Sequence, residues 1–395
     1  MGADWEKREA IELRHLRCFL AVAEELHFAR AAEKLHIEQS SLSRTIRELE
    51  ENLSEQLFVL TSRSTPLTRA PGTLRDQITH HRSLAVSRSD NFPGGTTSAF
   101  CTNVTRDEVL IPGGRFLMGD HFNEGYSYDG ERPVHAVELA PFSMDTTCVT
   151  VGDFFQFVNA TGYVTEAELY GDSAVFYQAV MSDEQDIIGH YGMSWCFAVR
   201  GADWRHPFGR KSTVEACLDH PVVHISHNDA LAYCAWIGRK LPTEAQWEFA
   251  ARGGHQGLRF PWGNKLEENG VHNANVWQGE FPHHNTEQDG WLATSPVKTY
   301  AANSYGLYQM IGNVWEWCAD WFDSDYYTHS PLMNPVGPSE GSKRVMRGGS
   351  YLCHHTYCSR YRVAARSANT PDSSAGNIGF RTVSLDERKA LPIQA

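Results

Sequence analysis

The sequence predicts an α+β fold with little regular secondary structure over residues 106–386, preceded by a small all-α segment over 11–70. Residues 11–70 contain no glycine and a single proline, and their apolar side chains recur at helical spacing. From about residue 109 the helical patterns become few, and long stretches rich in glycine, asparagine and tryptophan separate them. Between these regions, 71–105 is dominated by Ser, Thr, Gly, Arg and Asn, which is typical of a linker.

Composition limits the classes of function. The formal net charge of -13 argues against broad, charge-driven binding of nucleic acid by the whole chain. Nine cysteines are an odd number and are scattered, which is not typical of a disulfide framework. No apolar run reaches the length of a membrane span, and the first residues lack a signal-peptide pattern. We therefore expect a cytoplasmic protein without a membrane partner.

Residues 11–70 predict three short helices packed as a helix-turn-helix, with the tight connection at 36–38. The alternation over 56–68 predicts a small hairpin, or wing. The segment contains the motifs Leu13-Arg-His-Leu-Arg17, Ala31-Ala-Glu-Lys-Leu35, Gln39-Ser-Ser-Leu-Ser-Arg-Thr-Ile46, Leu49-Glu50 and Gln56-Leu-Phe58. Through these motifs it resembles the DNA-binding domain of LysR-type transcription regulators.

The LysR resemblance implies possible DNA binding through the third helix and the wing. The residues it places against DNA are Gln39, Ser40, Ser41, Ser43 and Arg44 on the helix and Arg63 on the wing. The segment departs from the family at Val59 and Leu60 and at Pro71-Gly72, where the family's linker helix would begin. Residues 1–70 also carry ten Lys and Arg against twelve Asp and Glu. A folded remnant without regulatory function therefore stays as the alternative.

Helices in the larger region are predicted from their caps and stops. Thr150 is placed to cap the first, and Gly162 is placed to end it. Thr243 and Gln246 have the spacing of a capping box. The predicted helices cover residues 151–160, 228–238 and 242–251. Long loops make up most of the remainder, and loops of this length in a compact domain usually carry function.

A pair of cysteines, Cys353 and Cys358, lies between segments rich in glycine and arginine. Five positions separate them, which places the side chains on opposite faces of a straight strand. The backbone must therefore turn between them if both sulfurs face one site. Such a pair is a disulfide, a soft-metal site or a catalytic thiol with its partner. The neighbouring His354 and His355 are interpreted as surface histidines beside a turn.

The most specific features of this region are the cysteine pair together with Trp204-Arg-His-Pro207 and Pro371-Asp-Ser-Ser374. Further motifs are Pro112-Gly-Gly-Arg-Phe-Leu-Met-Gly119, His220-Pro-Val-Val-His224, Lys240-Leu-Pro-Thr-Glu-Ala245, Gly312-Asn-Val-Trp-Glu-Trp317, Arg347-Gly-Gly-Ser350 and Asn377-Ile-Gly-Phe-Arg381. With these motifs in consistent order, about 280 residues resemble the formylglycine-generating enzyme, or sulfatase-modifying factor, family.

This resemblance implies a C-type-lectin-like fold and the oxidation of a cysteine within Cys-x-Pro-x-Arg of unfolded sulfatase chains to formylglycine. It implies O2 as oxidant, a thiol reductant, and Cu(I) held by Cys353 and Cys358, with Cys358 the more nucleophilic. Copper(I) is soft and prefers thiolates in low coordination numbers, so the residue types suit the metal. Ser350 would hydrogen-bond the oxygen species.

The resemblance also implies structural calcium and a peptide groove. The first calcium set is Asn275, Val276, Asp289 and Trp291, and the second is Gln309, Gly312, Val314 and Glu316. Gln309 stands where relatives often have Asn or Asp, so the second set is in doubt. The residues expected near the substrate are Asp172, Ser173, Trp315, Arg360 and Asn377, and Asp172 would pair with the substrate arginine.

Two other functions compete with the oxidase. A non-haem iron oxygenase of the sulfoxide-forming type would need a facial set of histidines, or of histidine and carboxylate, and the cysteine pair argues against it. A lectin-fold binding module fused to a DNA-binding domain would act as a regulator. Loss of the cysteine pair would favour this second alternative, and the chain retains the pair.

Overall fold

A computed structural model of the protein describes residues 106–268 and 270–384, together with Cys18, Phe19, Val22, Leu42, Thr45 and Ile46. The chain divides into two compact units, Met1–Cys101 and Thr102–Ala395. All six described residues of the first unit are helical. The wing over 56–68, the linker over 71–105 and the residues predicted to face DNA lie outside the described residues. No helix in the described part of the chain is long and apolar enough to cross a membrane.

The described part of the second unit contains four α-helices among many short strands. The helices are α1 (Val151–Thr161), α2 (Glu166–Tyr170), α3 (His227–Ile237) and α4 (Glu244–Arg252). The strands are β1 (Glu108–Ile111), β2 (Gly114–Met118), β3 (His135–Leu139), β4 (Phe142–Asp145), β5 (Asp172–Phe176), β6 (Ile187–His190), β7 (Cys196–Arg200), β8 (Glu267–Glu268), β9 (Val271–His272), β10 (Gly279–Glu280), β11 (His284–Asn285), β12 (Trp315–Trp321), β13 (Arg344–Arg347), β14 (Arg366–Asn369), β15 (Ile378–Gly379) and β16 (Val383–Ser384).

Local capping chemistry fixes where these helices begin and end. Thr150 caps α1 and Thr243 caps α4, each within a reciprocal capping box. Both helices stop at a glycine in the left-handed conformation, Gly162 and Gly253. These two predicted helices are therefore confirmed with their caps, and the helix predicted over 228–238 is confirmed as α3. Helix α2 was not predicted, since its five residues give too short a pattern to recognise.

Two sheets position the site. The four-stranded sheet has the order β14-β13-β12-β15, antiparallel apart from the β12–β15 pair. The three-stranded antiparallel sheet has the order β5-β7-β6. A bridge between Ala174 and Ala375 connects β5 to the segment that follows β14. Both sheets consequently contribute residues near the cysteine pair.

Buried ion pairs hold α4 against the four-stranded sheet. Arg347 and Arg366 are directly opposite each other in β13 and β14. The Glu244 carboxylate accepts from Nη1 of Arg347 at 2.8 Å and from Nε of Arg366 at 2.6 Å. Glu248, one turn further along α4, accepts from Nη2 of Arg347 at 2.5 Å. All four side chains are buried, so the glutamates neutralise arginines that would otherwise repel each other.

Replacing Glu244 with Gln is expected to lower the free energy of unfolding of the second unit by about 3–5 kcal/mol, because it leaves a buried arginine charge without compensation. Urea denaturation measures the change. The matched control is Glu268→Gln, which removes an exposed partner of Lys265 and is expected to change stability by less than about 1 kcal/mol. Equal effects of the two variants would contradict this account of the buried network.

Candidate active site

The segment 348–365 joins β13 to β14 and is called the cysteine loop here. Its first residues, Gly348 and Gly349, have φ of 93° and 70°, a region that favours glycine. A Cβ on Gly349 would lie 2.9 Å from the carbonyl oxygen of Arg360, so the loop also needs glycine for close approach. The two glycines let the chain leave β13 and pack against the far end of the same loop.

A tight backbone turn brings the two cysteines together. The carbonyl of His354 accepts hydrogen bonds from the N–H groups of Tyr357, Cys358 and Ser359. The thiols of Cys353 and Cys358 are hydrogen-bonded to each other and free of disulfide, and each residue is 2% exposed. The predicted turn is confirmed, and the disulfide alternative does not describe this structure. His354 is buried, so its interpretation as a surface histidine is wrong, whereas His355 is exposed.

The pKa values of the two thiols are shifted in opposite directions, and the two residues are called the polarised pair below. Burial raises the pKa of Cys353 well above its usual value, and its hydrogen bond to Cys358 raises it further. The pKa of Cys358 is lowered, first by the hydrogen bond that Cys353 donates, then by backbone hydrogen bonds from Arg360 and His354 and by the Arg360 charge. Burial raises the pKa of the other cysteines between 106 and 384. Cys358 is therefore the described cysteine of this region whose ionisation the surroundings favour.

Arg360, which was expected near the substrate, forms an ion pair with Asp129 of the same chain. Its Nε donates to Oδ2 of the buried Asp129 at 2.6 Å. Its guanidinium also lies over the rings of Tyr126 and Tyr128, 4.9 Å and 5.8 Å from their centroids. These contacts hold a positive charge near Cys358. Sequence reasoning missed this anchor because Asp129 lies 231 positions away from Arg360.

Ser350 and Asn377 form a hydrogen-bonded pair beside Cys353. Nδ2 of Asn377 donates to Oγ of Ser350 at 3.0 Å, and the N–H of Leu352 donates to the same oxygen at 3.3 Å. With two bonds accepted, the hydroxyl proton of Ser350 is left for donation. The backbone N–H of Ser350 lies 3.4 Å from Sγ of Cys353. Trp315 contributes its backbone, which donates to the Asn377 carbonyl, while its side chain belongs to the main hydrophobic core.

Three half-buried aromatic residues next to the cysteine loop form what is called the aromatic wall: Trp195, Phe281 and Tyr357. The rings of Phe281 and Tyr357 stack with centroids 4.7 Å apart, and Trp195 packs edge-on against both at 5.3 Å. Only Tyr357 is close to the cysteines in sequence. The wall was missed because an isolated tryptophan or phenylalanine gives no local sign of what it contacts.

Asp172 and Ser173 begin β5 and differ in their surroundings. Asp172 is half-buried, and its Oδ1 accepts from the hydroxyl of Tyr191 at 2.5 Å. Ser173 is buried, and its Oγ lies 2.7 Å from Oγ of Ser374 and 2.8 Å from Nδ1 of His224. The structure thus brings Ser173 together with two residues of the recognised motifs, and its side chain fixes the strand.

His224 is a packed histidine rather than a ligand. Its Nε2 lies 2.8 Å from the carbonyl of Pro207, which can only accept, so Nε2 carries the proton and Nδ1 accepts from Ser173. Burial lowers the pKa of His224 to about 4 and keeps the ring neutral. Among residues 106–268 and 270–384, no three or more His, Cys, Asp or Glu side chains gather in a group that could hold a metal ion.

The residues of the first predicted calcium set lie on two segments of the chain, and the side chain of Gln278 is hydrogen-bonded to both segments. The Gln278 amide donates to the carbonyl of Val276 and accepts from the N–H of Asp289 at 3.0 Å. The carboxylate of Asp289 accepts from the Tyr300 hydroxyl and from the N–H of Trp291, and no arginine or lysine of the described residues pairs with it. A buried or half-buried carboxylate without a cationic partner is the type of oxygen ligand that a hard cation prefers.

In the second predicted calcium set, the carboxylate already has a cationic partner within the chain. Both oxygens of Glu316 accept from Arg381, at 2.6 Å and 2.7 Å, and Nε1 of Trp247 donates to one of them at 2.9 Å. The Gln309 amide is likewise bonded, to Asn313 and to the Pro296 carbonyl. Since Glu316 is already neutralised, this arrangement does not favour a further cation there.

The second unit is thus an irregular α+β domain whose candidate active site is a pair of buried thiols with oppositely shifted pKa values. Residues 95–385 match the Sulfatase-modifying factor enzyme 1-like domain, and the chain belongs to that family. Residues 13–70 match the lysR family of bacterial regulatory helix-turn-helix proteins.

A formylglycine-generating enzyme of Streptomyces coelicolor is 56% identical over 278 residues, which is 70% of this chain and 88% of that protein. An inactive C-alpha-formylglycine-generating enzyme 2 of Bos taurus is 43% identical over 286 residues, 71% of this chain and 88% of that protein. The structure of PvdO from Pseudomonas aeruginosa is 23% identical with a TM-score of 0.52, covers 71% of this chain and 96% of PvdO, and shows the fold alone. Since active and inactive relatives are both similar, activity must be argued from the site.

Thiolate absorbance at 240 nm tests the polarised pair in the metal-free protein. The wild type is expected to form one thiolate below the ordinary thiol pKa, because the lowered pKa of Cys358 favours the charged form at lower pH. Cys358→Ser should remove that step, and Cys353→Ala should move it to higher pH because the donated hydrogen bond is lost. Cys217→Ser, which removes a thiol with a raised pKa, should leave it unchanged. A step that survives in Cys358→Ser would contradict the assignment.

Proposed function

We propose that the second unit oxidises the cysteine of a Cys-x-Pro-x-Arg segment in unfolded sulfatase chains to Cα-formylglycine, with O2 as oxidant and a thiol as reductant. The proposal is supported by membership of the sulfatase-modifying factor family and by a relative at 56% identity that is named a formylglycine-generating enzyme. The single observation that carries it is the buried pair of hydrogen-bonded thiols, one with a raised and one with a lowered pKa.

The overall reaction balances with two reducing thiols. The peptide CH2–SH group and O2, with two molecules of thiol reductant, give the peptide aldehyde, hydrogen sulfide, water and one disulfide of the reductant. Four electrons reduce O2, of which two come from the peptide carbon and two from the reductant.

Copper(I) is the metal that the donor set fits. Two adjacent sulfurs are soft ligands, and low coordination suits this ion. Cys358 already favours the thiolate, while the proton of Cys353 is the one that metal binding would release. When bound, copper(I) supplies the one-electron chemistry that lets O2 react with a thiolate. The positive charge of Arg360, anchored by Asp129, helps to keep negative charge at the sulfurs.

The surrounding residues bind and orient the reactants. The free hydroxyl proton of Ser350, whose oxygen is fixed by Asn377, is available to hydrogen-bond oxygen. The aromatic wall offers ring faces against which the proline of the segment can pack, and this packing would exclude water. Asp172 has no ion pair among the described residues, so its carboxylate is free to accept the substrate arginine.

For calcium, we propose one structural ion at the first set, held by oxygens of Asn275, Val276, Asp289 and Trp291. The uncompensated carboxylate of Asp289 supports this site, whereas the Glu316–Arg381 ion pair argues against the second.

For the first unit, we propose sequence-specific DNA binding only as a second function. The match of residues 13–70 to a regulatory helix-turn-helix family favours it. Retention of the full chain on DNA fragments at physiological salt, lost on Arg44→Ala, would support this function, and absence of retention would leave a folded remnant.

Mass spectrometry tests the enzymatic proposal directly. The full chain with copper(I), O2 and a thiol reductant is expected to convert the cysteine of a Cys-x-Pro-x-Arg peptide to the aldehyde. Cys358→Ser and Cys353→Ser should abolish conversion, because each leaves one sulfur for the metal. The matched control Cys217→Ser should retain it.

If the wild type binds copper(I) but leaves the peptide unchanged, the oxidase proposal is wrong and the binding-module alternative gains support.

Thermal melting tests the calcium site. At free calcium about 100 times its Kd, the ion is expected to stabilise the second unit by about 2.7 kcal/mol, seen as a raised Tm. Asp289→Asn should remove the shift because it removes the carboxylate charge, and Asp183→Asn, a change at an exposed carboxylate, should retain it. A shift that persists in Asp289→Asn would place the ion elsewhere.

A further inference from the structure

Tyr191 follows β6 at the turn into β7, and its hydroxyl is the described partner of the Asp172 carboxylate. We propose that Tyr191 is a positioning residue, which fixes the plane of the Asp172 carboxylate and thereby makes the peptide site select arginine over lysine. The inference rests on the proposed function and adds a specificity-determining residue to it.

The contact between Tyr191 and Asp172 is short and its direction is fixed. Burial raises the pKa of Tyr191, and the hydrogen bond to Asp172 raises it further, so the hydroxyl stays protonated and donates. Tyr191 is nevertheless 49% exposed. An exposed ring contributes little to a hydrophobic core, so its clearest interaction is the one it makes with this carboxylate.

The charge of Asp172 is not neutralised within the described part of the second unit. Arg200 is directly opposite it in the β5–β7 register, yet forms no ion pair with it. Glu166 and Asp372 both act on the neighbouring Tyr170, which places two more acidic groups near this end of β5. The local field therefore attracts a cation, and the carboxylate has capacity to bind one.

The geometry of the carboxylate distinguishes the two basic side chains. Each oxygen has two acceptor positions, so Oδ1 retains one after accepting from Tyr191, and Oδ2 retains its own. A guanidinium donates two parallel N–H groups and needs a carboxylate in a defined plane. An ammonium is a compact point charge with rotatable donors, so it gains little from a fixed plane. Fixing the plane consequently favours arginine.

Binding of two labelled peptides to the full-length chain tests the role of Tyr191. The peptides are Ser-x-Pro-x-Arg and Ser-x-Pro-x-Lys, in which serine replaces the reactive cysteine so that fluorescence anisotropy reports binding alone. Tyr191→Phe is expected to weaken the arginine peptide about three- to tenfold and the lysine peptide less than about twofold. In an Asp172→Asn background the same change should have no further effect, because the interaction is already lost.

Tyr170→Phe is the matched control, since it removes a neighbouring exposed hydroxyl that does not bond to Asp172. It should leave the arginine-to-lysine ratio unchanged, and both phenylalanine variants should melt at the wild-type Tm. Equal weakening of the two peptides, or no change in Tyr191→Phe, would overturn the inference. If the wild type oxidises the arginine peptide's cysteine form while Tyr191→Phe keeps its full preference, only the role of Tyr191 is wrong. A wild type that oxidises neither cysteine peptide would refute the proposed function itself.

Discussion

The cysteine site depends on a buried carboxylate that joins two arginines. Arg347 ends β13 and Arg366 begins β14, so the two residues mark the ends of the cysteine loop and face each other across the sheet. Two like charges in that position would separate the strands and open the loop. Glu244 accepts from both, and Glu248 supports one of them from the next turn of α4. This neutralisation keeps the two ends of the cysteine loop together, and the tight turn at the His354 carbonyl then brings the two cysteines close.

Within the closed loop, the hydrogen bond between Cys353 and Cys358 shifts the pKa values of two otherwise similar thiols in opposite directions. Cys353 donates and keeps its proton, whereas Cys358 accepts and favours the thiolate. The charge of Arg360 acts in the same direction because Asp129 holds it in place. The site therefore contains one thiol with a lowered pKa and one with a raised pKa, both buried away from water.

The sequence alone was sufficient wherever a feature is local. Thr150 and Thr243 cap the helices that their spacing predicted, and the turn between the cysteines follows from their separation. Features that depend on residues far apart in the chain could not be predicted from the sequence. The resemblance placed Glu316 in the second calcium set, which the departure at Gln309 already put in doubt, and nothing near Glu316 in sequence reveals that Arg381 neutralises it. The aromatic wall and the Arg360–Asp129 ion pair were not predicted for the same reason, because their residues are far apart in sequence.

We propose that the sulfurs of Cys353 and Cys358 bind copper(I). Competition with a coloured copper(I) chelator, followed by X-ray absorption of the complex, decides this proposal. We expect one copper ion per chain with two sulfur neighbours, and loss of tight binding when either Cys353 or Cys358 becomes serine. Copper that binds equally tightly to both serine variants, or a metal surrounded by nitrogen and oxygen, would contradict it.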